Sequence, residues 1–84
     1  MAHYVVMCDW SISGDFINHG VDVTGITHSL EEAKEIFAKA VVDEKKYAEE
    51  HGWKIYEDSD VEFDAGEDGY YEAEHAHFFI QEVM

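Results

Sequence analysis

Residues Ser29 to Gly52 constrain the fold more than any other stretch of the chain. Ser29 and Glu32 have the S-x-x-E spacing of a capping box. There the hydroxyl takes the amide three residues on and the carboxylate reaches back to the cap amide. Apolar residues then recur at Leu30, Ala33, Phe37, Ala40, Val41, Tyr47 and Ala48, a three-four spacing that gathers them on one helical face. Glu31, Glu32 and Glu35 stand where the helix dipole favours acids, and Lys45 and Lys46 where it favours bases. Gly52 is suited to a left-handed stop. A helix of about 22 residues is roughly 33 Å long. A compact body of this chain length has a radius of gyration near 12 Å. The helix therefore runs across the whole body and covers one face of a sheet.

The rest of the chain supplies that sheet. Tyr4 to Trp10 reads as a first strand, apolar on both parities until Asp9, which marks a central strand. Turn formers follow at Ser13-Gly14-Asp15 and Asn18-His19-Gly20. Val21 to Ile26 alternates as a half-buried strand feeding the helix. Trp53 to Tyr56 is a short strand with Trp53 and Ile55 on the core parity. Asp64 to Gly69, with two glycines and an Asp-Gly pair, reads as a turn. Gly69–Glu74 and Ala76–Val83 read as one bent strand or two. His77-Phe78-Phe79-Ile80 is apolar on both parities, so it is the expected neighbour of the first strand. The prediction is one domain over residues 1–84 of the α+β class. It has an antiparallel four- to five-stranded sheet and one long helix packed on one face, in ββαβββ order.

Charge is the compositional outlier. The 84 residues hold twenty acids and five bases, a formal net charge of −15. All five bases are lysines (Lys34, Lys39, Lys45, Lys46 and Lys54), and four lie on the helix. From Ile55 to Met84 there are ten acids and no base. Such a body repels itself, and it argues against nucleic acid and anionic membrane as partners, both of which need positive protein surface. No apolar run approaches the roughly 18 residues of a membrane span. The N-terminus lacks the basic and apolar regions of a secretory signal. One cysteine, Cys8, forms no intramolecular disulfide, which fits a cytoplasmic protein.

Three constellations could carry function. On an extended segment Asp58, Asp60, Glu62 and Asp64 share one parity. With Glu67, Asp68, Glu72 and Glu74 they form an acid-dense stretch. Folded as a hairpin it would carry a charge about every 3.3 Å, against roughly 3.4 Å along one DNA strand. It could thus occupy a basic groove on a partner protein; the plainer reading is a solvated surface. His75 and His77, two apart on a strand, could give two ligands to a metal, with His3, Asp9 or Cys8 as a third. Their spacing matches no zinc module. A calcium loop counted from Asp58 has Phe63 and Gly69 where Gly and Glu are needed. Cys8, inside an apolar strand, reads as a small hydrophobe. With no arginine, phosphate loop or nucleophile elbow, the chain reads as a non-enzyme without a cofactor.

Ser29-Leu30-Glu31-Glu32-Ala33-Lys34, Trp53 to Asp58 and Phe78-Phe79-Ile80-Gln81-Glu82-Val83 resemble small acidic proteins of unknown function from bacteria and their mobile elements. That resemblance implies no activity. The expected role is a non-enzymatic interaction protein that binds a basic partner protein, as a nucleic-acid mimic or inhibitor. A small zinc- or calcium-binding domain and a structural homodimer are the alternatives. The dimer is expected because one helix covers one sheet face, yet the terminal strands are apolar on both.

Overall fold

The computed structural model describes residues 2–13, 18–67 and 73–83. In chain order these form β1 (His3–Ser13), β2 (Asn18–Thr27), α1 (Leu30–His51), β3 (Lys54–Asp58), β4 (Glu62–Gly66) and β5 (Ala73–Val83). The strands make one antiparallel sheet in the order β2-β1-β5-β4-β3. The first and last strands are neighbours, with Met7 opposite Phe79 and Cys8 opposite Phe78. The α+β architecture is the one expected from the hydrophobic pattern.

The ends of α1 are fixed as the capping signals predict, with one addition. Ser29 Oγ accepts from the Glu32 amide at 3.3 Å, but the Glu32 carboxylate is taken by the buried Thr27, whose hydroxyl donates to it at 2.6 Å. Thr27 Oγ1 in turn accepts from the Ser29 amide at 3.2 Å. The reciprocal arm of the capping box thus runs through Thr27. At the other end Gly52 adopts φ 71°, ψ 26°, and the Trp53 amide donates to the Ala48 carbonyl at 2.8 Å. This is a left-handed stop that closes the last carbonyls.

One cluster holds helix to sheet. Val6, Phe63, Ala65, Ala76 and Phe78 come from β1, β4 and β5; Ala33, Phe37, Val41 and Ala48 come from α1. Phe37, Phe63 and Val6 are the largest fully buried side chains. Two residues of the predicted helical stripe stay outside this cluster: Leu30, at the first turn, and Tyr47, which lines a groove beside Trp53, are exposed. The molecule measures 45 × 23 × 15 Å with a radius of gyration of 13.6 Å. It is longer and flatter than the roughly 12 Å expected for a rounded body. A thickness of 15 Å accommodates a sheet and one helix, not a third layer.

Two expectations are corrected. Asp64-Ala65-Gly66 are not in a turn but in β4, where Ala65 is buried opposite Ala76. Residues 68 and 69 of that expected turn lie outside the described residues. A separate turn at residues 59–61 joins β3 to β4: Ser59 Oγ accepts from the Val61 and Glu62 amides, and the Ser59 amide donates to the Glu62 carbonyl at 2.9 Å. Serine, not glycine, closes this β3–β4 connection. Trp53, placed on a strand by its aromatic character, precedes β3 and packs against the core from the helix stop.

Phe37→Ala is expected to lower the unfolding free energy by about 3–5 kcal/mol in urea titration, because it removes one of the largest buried side chains of the core. Val42→Ala, on the solvent side of the same helix, should change it by less than about 0.5 kcal/mol.

Candidate functional site

The described acids of the dense stretch are spread over the β3–β4 connection, β4 and the start of β5, and they do not share one face of the sheet. Asp58 and Asp60 do not lie on one extended segment with Glu62 and Asp64, because the turn at residues 59–61 intervenes. Asp58 ends β3 opposite Phe63. Asp60 is exposed in the turn and holds Lys34 of α1, Nζ to Oδ2 3.0 Å; its hydrogen bond and charge raise the Lys34 pKa. Glu62 and Asp64 lie on the sheet face away from the helix, since Phe63 and Ala65 between them point into the core. Glu67 follows β4, its amide donating to the Glu74 carbonyl at 2.9 Å. Glu74 alternates with His75 and stands on the helix side. Asp68 and Glu72 lie outside the described residues.

His75 and His77 do share a strand face, the one turned from the helix. His77 Nε2 donates to Glu62 Oε1 at 2.9 Å and lies between Asp9 of β1 and Asp64 of β4. His75 lies between Ser11 and Gly66; a Cβ at Gly66 would collide with its ring and with the Glu74 carbonyl. Of the suggested third ligands only Asp9 comes beside this face, opposite His77. Cys8 faces the helix, and His3 sits at the far end of β1 opposite Val83. Among the described residues no group of three or more His, Cys, Asp or Glu side chains is placed to hold a metal ion. The alternating oxygens from Asp58 to Glu62 are the hairpin turn described above.

A groove that the hydrophobic pattern does not announce lies on the helix side, beside the last turns of α1. It encloses about 240 Å³ and is lined by Trp10, Tyr47, Trp53, Glu44, Glu74 and Cys8, with His75 at its border. Tyr47 and Trp53 form a corner, ring centroids 5.1 Å apart and planes at 81°. Tyr47 is backed by His51, stacked at 4.0 Å, whose Nδ1 donates to the Tyr47 carbonyl at 2.9 Å. Trp10 lies over Gly20 of β2, where a Cβ would strike the indole. Glu44 stands three residues after Val41 and four before Ala48, on the helical stripe that faces the sheet. Burial pushes its carboxyl pKa up. Burial first, then the charges of Glu44, Asp22 and Asp9, push the Cys8 thiol up to about 11. The signal for this site is an acid interrupting an apolar stripe, with a tryptophan at the end of each flanking segment.

The face turned from the helix is divided. Towards β2 it is apolar. Ile26 is opposite Val5, and Val23 is opposite Met7, which is opposite Phe79 in turn. Val21, Val23, Ile26 and Val83 are 54%, 54%, 64% and 46% exposed. Towards β3 it carries Glu62, Asp64 and the two histidines. No described element lies over either half. Among the described residues no helix is long and apolar enough to cross a membrane.

Comparison with protein-family models, with curated proteins and with solved structures finds no match.

A thiol raised to about 11 stays protonated near neutrality. Alkylation of native Cys8 at pH 8 is expected to run about two orders of magnitude slower than in the urea-unfolded chain, judged by thiolate populations against a free thiol near 8.5. Equal rates, followed by mass spectrometry, would contradict this placement.

Proposed function

We propose that this chain is a non-enzymatic interaction protein whose acidic β3–β4 edge binds a basic protein partner, occupying a surface that otherwise receives a nucleic-acid strand. The observation that carries this reading is a charge imbalance with a location. Ten acids and no base follow Ile55, whereas four of the five lysines are on α1. With twenty acids against five lysines, at least fifteen carboxylates have no lysine of their own. Between residues 57 and 74 the chain holds nine acids in eighteen residues. The same sign of charge opposes nucleic acid and anionic membrane as direct ligands. The single, protonated cysteine suits a reducing cytoplasm.

Titration against a basic nucleic-acid-binding protein tests it. Affinity should fall at least about tenfold between about 50 and 200 mM salt, and replacing Asp64 and Glu67 with lysine should weaken it by a similar factor. No binding, or binding indifferent to both changes, removes the reading.

A second reading rests on the apolar half of the open face: a homodimer packed sheet to sheet. Extents of 45 and 23 Å give a whole face of about 1,000 Å², so the apolar half supplies roughly 500 Å² and the contact has to extend over the rim beyond it. A stable interface needs roughly 800 Å² per partner. The distribution suits a twofold contact centred on Val5 and Met7, with Asp9, His77 and Gln81 at the rim. Each copy carries −15, so the dimer should strengthen as salt screens the repulsion, opposite in sign to basic-partner binding. Sedimentation should show a dimer at about 100 μM that Val23→Lys converts to a folded monomer. A native chain monomeric at that concentration in high salt would end this reading.

A further inference from the structure

We propose that the groove bounded by Trp10, Tyr47, Trp53, Glu44 and Glu74 binds the ammonium head of a small organic cation. Three independent features of the groove converge on that class of ligand. The first is its walls. The Tyr47 and Trp53 rings meet at 81° with centroids 5.1 Å apart, and Trp10 lines the same groove from β1. At that spacing Tyr47 and Trp53 touch edge to face, and His51 stacks on Tyr47, so the groove wall is the ring surface these contacts leave free together with Trp10. Aromatic faces carry negative potential and attract an alkylated ammonium, which is poorly hydrated and gives up little on leaving water.

The second is charge. Glu44 and Glu74 both line the groove, and no lysine does. The other groove of similar size, between α1 and the β3–β4 turn, is lined by Lys34 and Lys45 and lacks tryptophan and tyrosine. That groove also holds Asp60, which is bonded to Lys34, whereas the tryptophan groove holds two carboxylates and no lysine. Glu44 also stands on the sheet-facing stripe of α1, where an alanine or leucine would serve packing better. Its carboxyl is raised by burial alone, so a bound cation returns the solvation that folding removed.

The third is size. About 240 Å³ falls below the roughly 300 Å³ at which pockets begin to hold drug-sized ligands, so the groove fits a head group with the rest of the molecule in solvent. The site is distinct from the β3–β4 edge. Only Glu74 belongs to both, and the test turns on Glu44, so the two readings fail independently.

The chain has two tryptophans, and both line this groove, so intrinsic fluorescence reports on it directly. Tetramethylammonium chloride is titrated into the full chain at fixed ionic strength, with sodium chloride and a neutral compound of the same shape as controls. The titration is run at pH 8. A saturable change in tryptophan emission is expected for the ammonium and for neither control. Glu44→Gln keeps the side-chain shape and should weaken binding about tenfold, and Tyr47→Ala should do the same. Circular dichroism verifies that both variants are folded. A response no different from sodium chloride overturns the proposal. So does equal binding of the neutral compound, which would make the groove merely apolar, or full affinity in folded Glu44→Gln.

Discussion

The packing of Phe37 against the floor made by Val6, Phe63 and Phe78 is the contact on which every other surface depends. An α-helix is about 10–12 Å across, whereas five strands spaced about 4.8 Å apart span roughly twice that. One helix therefore cannot roof the sheet. Small residues let it settle closely along its midline: Ala33 and Ala48 on α1, Ala65 and Ala76 beneath, and Gly25, which admits Ile36. What the helix leaves uncovered on either side becomes a groove, and what lies below the sheet becomes an open face. The two grooves and the divided face are the geometric remainder of a two-layer design with one helix.

Charge follows the same division. Helix α1 holds seven acids and four lysines, a net −3; the remaining residues hold thirteen acids and one lysine, a net −12, which together make −15. The helix surface is thus a nearly balanced, solvated exterior with oppositely charged residues at i, i+4 spacing, such as Glu35 with Lys39 and Lys46 with Glu50. The sheet and its connections hold the excess. The Lys34–Asp60 bridge ties the β3–β4 turn electrostatically to α1. Both side chains are solvent-accessible, so it orients the turn more than it stabilises the fold.

The fold was legible in the sequence because its signals are local and redundant. Ser29, Glu32 and Gly52 mark the helix ends through backbone chemistry that does not depend on the tertiary structure. The apolar doubling of β1 and β5 marks them as central for a purely steric reason. The β3–β4 hairpin was harder. Asp64-Ala65-Gly66 has turn residues, but pairing with β5 and burial of Ala65 against Ala76 outweigh that propensity. The acid parity argument failed for a related reason: it assumed an uninterrupted strand, and Ser59 turns the chain inside it. The aromatic groove was illegible because its walls come from β1, the end of α1 and the residue after the helix stop. Only the misplaced polarity of Glu44 pointed to it, and a single acid in a stripe is easily read as noise.

The pairing of β1 with β5 has a further consequence for how the protein is made. Residue 3 sits opposite residue 83, so the two central strands are separated by nearly the whole chain. The β1–β2 hairpin and the helix form from nearby residues, but the sheet they belong to has no middle until β5 leaves the ribosome. Contacts so distant in sequence close slowly and only after their loop entropy has been overcome. During translation the nascent chain displays the apolar side of β1 with no neighbour for it. The repulsion among its carboxylates is then the one force that keeps unfinished copies apart.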